Sequence, residues 1–406
     1  MDDILSIQSE VVFDESIAHY ELHAHQPYNS SSYNNNDEIR ISIQHQDLNL
    51  LPSRSSIRIQ GRLTDKEGKA LANTYFINNG ICFLFEEIRY ELNGIEIDKC
   101  KNVGLTTTMK NYPSLNPSHI TKIENAGWSG IAAPSSITDS KGFFDVTIPL
   151  RMIFGFAEDY TKIIVNIKHE LILTRSRTDV DSLRSTIDAS SMFKIDIKKI
   201  EWVMPYVQLS DKHKIHLLKI IEKNKPIAVP FRCWDLYENP FLPLTKQHVW
   251  SVKTSGQLEK PRYVIIGFQT ERKRNMGKNS SEFDHCKITN VKLFLNSQYY
   301  PYGNLNIDFS ENRYSLLYDM FTNFQESYYN KNPAPMVGKN EFKERLPLII
   351  IDCSKQNEIL KSGSVDVRLE FEAQENFPEG TSAYALIIHD RIIEYNPMSG
   401  DVRKLN

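Results

Sequence analysis

Hydrophobic and polar residues alternate with a period of two through much of the chain. Ile39, Ile41 and Ile43 alternate with Arg40, Ser42 and Gln44, and Ile57 and Ile59 with Arg58 and Gln60. Such alternation puts one face of a strand in a core and the other in water. Residues 81–99 are strand-rich and are interrupted by Asn93-Gly94, a dipeptide that takes the positive φ angles of a tight hairpin. Further strands are predicted over residues 143–148, 162–174, 193–207, 227–234, 249–253, 263–270, 288–295, 348–352, 365–371 and 383–395. A helical rhythm occurs twice. Ser210 is placed to cap a helix running to about residue 223, with Ile215, Leu218 and Ile221 in phase. A second helix is predicted over 311–328, with Leu317, Phe321, Phe324 and Tyr328 on one face. Ahead of the first clear strand, residues 29–36 (NSSSYNNN) are too polar to offset the entropy of ordering them. Residues 1–36 therefore read as an N-terminal arm with a mobile joint.

Many strands, long connections and few helices point to sandwiches or barrels. The two halves also share markers in a common order. Gly61-Arg62-Leu63-Thr64 and Gly267-Phe268-Gln269-Thr270 each end a strand. An apolar strand follows in each half, ending in Leu92-Asn93 and Leu295-Asn296, 296 − 93 = 203 residues apart. A helix-prone insert and then a Pro-Leu pair come next, at Pro149-Leu150 and Pro347-Leu348. A duplicated all-β unit of about 200 residues fits the jelly roll, an eight-stranded double-sheet Greek key. The expected fold is all-β: two tandem eight-stranded jelly rolls with short helices in the inter-strand inserts. The expected division is an arm at 1–36, a first jelly roll at 37–208 and a second at 209–406.

Composition narrows the function. Hydrophobic residues make up 40% of the 406, enough for a core that does not depend on disulfides or metals. Basic and acidic residues number 48 and 51, so the chain lacks the basic excess of a nucleic-acid-coating protein. Cys82, Cys100, Cys233, Cys286 and Cys353 are scattered and include no C-x-x-C, which reads as reduced thiols rather than a disulfide framework or a zinc site. The N-terminal sequence lacks a signal-peptide pattern, and no stretch approaches the roughly 20 apolar residues of a membrane-spanning helix. No membrane insertion is expected.

Candidate chemistry is sparse. His19, His23 and His25 would share one face of a strand, but no Cys or carboxylate set completes a metal site beside them. An arm or subunit contact with some pH sensitivity suits these histidines better. The run Glu271-Arg272-Lys273-Arg274-Asn275-Met276-Gly277-Lys278 could touch nucleic acid or act as an import signal, against the simpler reading of a solvated loop. Asp352 with Cys353, and His389 with Asp390, are adjacent on strands and so point to opposite faces. Asn279-Ser280-Ser281 fits a glycosylation sequon and reads as a plain loop. No G-x-S-x-G, Walker A, G-x-G-x-x-G or H-E-x-x-H motif is present. The sequence assigns no catalytic, cofactor-binding or metal residue, and no cofactor.

One segment carries a resemblance. Phe144-Asp145-Val146-Thr147-Ile148-Pro149-Leu150-Arg151-Met152-Ile153-Phe154-Gly155-Phe156 is similar to a stretch of Polinton/Maverick and adintovirus-like major capsid proteins. So are Asp159-Tyr160, Asn166 to Leu173, Arg175-Ser176, the aromatic stretch from Tyr314 to Tyr329 and the C-terminal run from Ser364 to Tyr395, with Ala383-Tyr384 and Ile388-His389-Asp390-Arg391. The resemblance covers most of residues 37–406. It implies a double jelly-roll structural protein and not an enzyme. Homotrimers of pseudo-hexagonal outline would tile the facets of an icosahedral shell. The implied partners are further copies of the chain, a penton-type single jelly-roll protein and minor capsid proteins, with packaged DNA touched only indirectly. The implied location is the virion capsid, with synthesis in the host cytoplasm and assembly in the nucleus. The aromatic insert 298–330 is the candidate subunit contact, weighed against ordinary packing on its own sheet. The competing functions are a carbohydrate- or protein-binding sandwich, an enzyme on paired jelly rolls such as a glycan amidase, and a capsid-derived protein domesticated by a host.

Overall fold

Among the described residues the alternating segments pair into four large antiparallel sheets, beside a small two-stranded one of Thr74–Phe76 with Leu183–Ser185. The computed structural model describes residues 16–29, 32–44, 49–129, 137–186, 193–253, 260–356 and 365–405. Eight principal strands lie in the first half: β1 (Ile17–His25), β2 (Glu38–Ile43), β3 (Ser56–Thr64), β4 (Phe85–Leu92), β5 (Ile95–Lys101), β6 (Phe143–Pro149), β7 (His169–Arg175) and β8 (Lys194–Leu209). Eight more follow: β9 (Ile227–Asn239), β10 (Gln247–Lys253), β11 (Pro261–Thr270), β12 (Ile288–Leu295), β13 (Gln298–Tyr300), β14 (Ile349–Asp352), β15 (Val367–Ala373) and β16 (Thr381–Tyr395). The sheet orders are β1-β8-β3-β6 and β2-β7-β4-β5 in the first half, and β9-β16-β11-β14 and β10-β15-β12-β13 in the second. Adding eight to each label of the first half reproduces the second. The chain is thus two eight-stranded jelly rolls of one topology.

Burial follows the alternation. Ile39, Ile41 and Ile43 of β2 and Ile57 and Ile59 of β3 are buried, while Arg40 and Arg58 between them reach solvent and pair with Glu38 and Asp145. Aromatic rings fill the first sandwich: Tyr90 meets Trp202 edge-on at 5.5 Å and Phe156 at 5.0 Å. The second is packed by Phe268, Phe371 and Phe377, with centroids 5.2–5.8 Å apart.

Two of the three repeat markers occupy equivalent places. Gly61 and Gly267 both lie in the third strand of their jelly roll, β3 and β11. Leu92-Asn93 and Leu295-Asn296 both end the fourth strand, and the two asparagines turn the hairpin with φ of 48° and 55°. The Pro-Leu pairs are not equivalent. Pro149 ends β6, whereas Pro347 and Leu348 precede β14.

The segment expected as a polar arm is partly sheet. β1 lies inside residues 1–36 and pairs with β8 from Ile17↔Leu209 to His25↔Trp202, so it is the first strand of the first jelly roll. It escapes the alternation test because it is an edge strand exposed on both faces, with Tyr20 and Leu22 in water. Residues 1–15, 30 and 31 of the expected arm lie outside the described residues.

Helices occupy the connections. α1 (Val103–Ser114) and α2 (Ile120–Ile123) lie between β5 and β6, α3 (Gly155–Asp159) follows β6, and α4 (Asp211–Glu222) joins the two jelly rolls. The helix expected over 311–328 is two short ones, α5 (Ser315–Thr322) and α6 (Phe324–Tyr329), meeting at Asn323 where ψ rises to −11°. The predicted apolar face holds across the break: Leu317, Phe321, Phe324 and Tyr328 are buried. α7 (Lys339–Arg345) completes the insert before β14. The strand expected at 162–174 starts only at His169. Ser210 is the N-cap residue of α4, but its hydroxyl meets the His213 ring at 3.0 Å rather than a backbone amide.

Candidate assembly surface

The helical inserts hold the two jelly rolls against each other. Lys110 of α1 is buried, and its Nζ lies 3.2 Å from Glu158 of α3 and donates to the Tyr329 hydroxyl of α6 at 2.9 Å. The same ammonium sits over the Trp234 and Tyr328 rings at 4.7 and 4.5 Å. Burial pulls the Lys110 pKa down, and the Glu158 carboxylate opposes that shift. Glu158 also accepts from the Tyr328 and Tyr329 hydroxyls at 2.9 and 2.5 Å. Arg232 of β9 grips Asp159 in a fork at 2.8 and 2.6 Å and donates to the Tyr328 carbonyl at 2.7 Å. Gly155 lets α3 reach β9: a Cβ there would lie 1.6 Å from the Arg232 carbonyl oxygen. At the far side of the junction Asp98 accepts from the backbone N–H of Phe156 and Lys99. Burial pushes its carboxyl up to about 7, with Arg391 pulling the other way.

The sequence candidates are mostly absorbed by structure. His19 and His23 bracket Glu21 on β1, with His23 Nε2 at 2.6 Å, and His25 meets the Tyr206 hydroxyl at 3.0 Å. Hydrogen bonding from His19 and His23 lowers the Glu21 pKa. Among the described residues no group of three His, Cys, Asp or Glu is disposed to hold a metal ion. Three of the four cations of the basic run are paired within the fold. Arg272 pairs with Asp284 and Glu282, Lys273 with Glu238 and Lys278 with Glu271. The backbone N–H of Arg274 donates to Asp181, and the Met276 carbonyl accepts from Ser185, so the run docks on the first jelly roll. The Asn279 carboxamide oxygen accepts from the Ser281 backbone N–H and hydroxyl, tying the sequon into its own turn.

Neither adjacent pair converges. Asp352 caps Ser354, while the Cys353 thiol turns inward to the Pro261 carbonyl. His389 instead lies across from Cys233, with Nδ1 3.4 Å from the sulfur, and its Nε2 is 3.0 Å from Asp235. This Cys-His-Asp set was invisible in the sequence because β9 and β16 bring together residues more than 150 positions apart. It resembles a nucleophile with its base and orienting acid, but Cys233 and His389 are only 2% and 1% exposed. A substrate carbonyl has no approach to that sulfur. Burial likewise pushes the thiols of Cys82 and Cys286 up to about 12.

What remains available is surface. In the aromatic insert, Phe309, Tyr314, Phe321 and Phe324 are buried in their own jelly roll and Tyr328 is buried at the junction, so packing within the chain accounts for them. Tyr302 is 86% exposed and stacks with Tyr299 at 6.0 Å. On the loop between β9 and β10, Phe241 is 79% exposed at a φ of 52°, a strained conformation for a bulky residue. It borders a cleft of about 540 Å³ that Glu271, Lys273, Arg274 and Tyr384 also line. No helix among the described residues is long and apolar enough to cross a membrane.

The same architecture recurs in solved structures. A chain in the cryo-EM structure of the Sputnik virophage superposes with a TM-score of 0.63 at 10% identity, covering 99% of this chain and 91% of that one. The Faustovirus major capsid protein gives 0.60 at 9% identity over 99% and 93% of the two chains. The mavirus major capsid protein gives 0.55 at 13% identity over 98% and 92%. At these identities the likeness is one of fold. A search of curated protein sequences gives no match. The model of the double jelly roll-like domain family matches residues 74–393, from the loop before β4 to within β16, and the chain belongs to that family.

Proposed function

We propose that the chain is a structural major capsid protein and not an enzyme. The observation that carries this reading is the full-length superposition of the two jelly rolls on chains of viral capsids, the Faustovirus and mavirus major capsid proteins among them. The capsomer would be a homotrimer, in which three chains of two jelly rolls present six similar units in a pseudo-hexagonal outline. Such units would tile an icosahedral shell, with a penton-type protein and minor capsid proteins as further partners. The Polinton/Maverick and adintovirus-like lineage rests on the sequence resemblance around Pro149 and in the last third of the chain. The proposed domain limits are a first jelly roll from β1 to β8 and a second from β9 onward, joined by α4. Three of the four cations of the basic run, Arg272, Lys273 and Lys278, are engaged in ion pairs, so genome contact or nuclear import through it would rest on Arg274. Subunit contacts are drawn from the exposed aromatics Phe241 and Tyr302, since buried aromatics anchor most protein interfaces.

Size-exclusion chromatography with light scattering tests this reading. The purified protein should elute at three times the chain mass, and electron microscopy should show hexagonal capsomers or shells. A monomer that stays monomeric at every salt and pH would overturn it, and a glycan-array hit on that monomer would favour the binding-module alternative.

A further inference from the structure

Phe241 and Arg274 line the same cleft, and both are held in strained backbone. Their φ angles are 52° and 58°, in the left-handed region that bulky side chains avoid. Hydrogen bonds fix both loops: the N–H of Leu242 donates to the Thr381 carbonyl at 2.7 Å, and that of Arg274 to Asp181. An exposed ring and an exposed guanidinium are thereby presented together. Strain that the surroundings maintain in this way points to a contact made there. Most charges lining the cleft are matched: Arg272 pairs with Asp284 and Glu282, Lys273 with Glu238, and Glu271 with Lys278. Among the described residues Arg274 and Glu379 enter no ion pair. The cleft therefore suits a surface that brings apolar side chains, a carboxylate for the guanidinium fork and a donor for Glu379.

The outer face of α5 carries that set. Leu316, Asp319, Met320 and Asn323 follow one another at three- and four-residue spacing and so share one side of the helix. Leu316 is 52% exposed, Asp319 and Asn323 are exposed and Met320 is half-buried. Among the described residues neither the Asp319 carboxylate nor the Asn323 carboxamide has a hydrogen-bond partner. No residue of α5 lines the cleft of its own chain. α6, which continues α5, packs on Tyr263 near the start of β11, whereas the cleft lies at Gln269, about 20 Å further along that strand. Complementary surfaces placed apart on one chain meet between chains.

We propose that the α5 stripe of one copy seats in the Phe241–Arg274 cleft of a second copy, with Asp319 on the guanidinium and Leu316 and Met320 against the Phe241 ring. The Asn323 carboxamide then donates to Glu379. The proposal rests on the reading of Phe241 as a subunit contact and supplies its partner. The contact is head-to-tail, so each chain gives one stripe and receives one, and a ring of copies closes it.

Sedimentation velocity over a dilution series of the wild type, R274E, D319R and R274E/D319R tests it on the full chain. Each single reversal should weaken self-association about tenfold, and the double reversal should return it to within about threefold of the wild type. Thermal melts report that each variant is folded. Oxidation of single-cysteine variants gives a second measure that does not depend on the reversals: F241C mixed with L316C should yield disulfide-linked dimers that neither variant yields alone. A wild type that assembles while all four chains associate equally, or a mixture that gives no crosslink, would overturn the pairing and leave the capsid reading standing. A wild type that is monomeric at every concentration would overturn both.

Discussion

Two buried groups set opposing pH dependences, and neither carries a sequence signal. Asp98 keeps its proton in the folded state up to about pH 7, whereas an unfolded aspartate loses it near 3.8. Its contribution to stability is therefore full below pH 4 and lost as pH rises toward 7. His169 is buried against Tyr90, with Nδ1 2.6 Å from the hydroxyl, and burial lowers its pKa to about 3 from 6.5. Its contribution is full above pH 6.5 and lost as pH falls toward 3. Each tenfold change in proton affinity is worth about 1.4 kcal/mol, so the two slopes nearly cancel between pH 4 and 6.5. Denaturant melts across that window should show His169→Gln losing stability as pH rises and Asp98→Asn gaining it, both relative to the wild type. Parallel curves for the three proteins would refute both assignments. Lys110 offers a second test. Lys110→Met strands Glu158 at the junction and should cost about 3–5 kcal/mol, while adding Glu158→Leu should recover most of that, the pattern of a buried ion pair. In the sequence Lys110 is one lysine among many. Its role exists only because α1, α3 and α6 meet around it.

At the scale of elements, strands were legible where one face is dry. The isoleucine ladders of β2 and β3 and the Asn-Gly hairpin of β4 and β5 are examples, because alternation and turn chemistry are local properties. β1 was missed because both its faces are wet. α1 was foreseen only as a helix-prone insert because nearly all of it is buried, so no amphipathic period marks it. Its three consecutive threonines also argue against a helix. In the fold the Thr107 and Thr108 hydroxyls donate to the carbonyls of Val103 and Gly104 and stay satisfied. The segment that carried the resemblance packs α3 onto β9 through Gly155. Gly155→Ala would drive a methyl into the Arg232 carbonyl. Overpacking typically costs 1–3 kcal/mol, and contact with backbone belongs at or above the top of that range. Calorimetry of the variant should show a loss of about 3 kcal/mol and two transitions in place of one, as the jelly rolls uncouple. A single unshifted transition would mean the junction yields freely at α3.

Two sandwiches of one topology could equally serve a lectin, and nothing in alternation or spacing separates the cases. The distinction at the scale of the molecule lies in what the surface is for. The buried Cys233 and His389 offer no access for chemistry, three of the four cations of the basic run are spent on ion pairs, and half the aromatic insert is already used in packing. Phe241 and Tyr302 are left as large aromatic surfaces in water, a cost to a monomer that an assembled shell would remove. If they anchor subunit contacts, truncating them should separate folding from assembly. Exposed side chains away from special features change stability by only about 0.5 kcal/mol either way, and replacing Phe241 relieves nothing that the loop needs to fold. An interface anchor loses about 2 kcal/mol or more on truncation, close to thirtyfold in affinity. Phe241→Ser and Tyr302→Ser should therefore melt within a degree or two of the wild type yet shift the equilibrium toward monomer at concentrations where the wild type assembles. Sedimentation velocity over a dilution series reads that shift directly. Variants that assemble as tightly as the wild type would move the contacts to other surfaces, of which β1, an edge strand among the described residues with Tyr20 and Leu22 exposed, is the next to test.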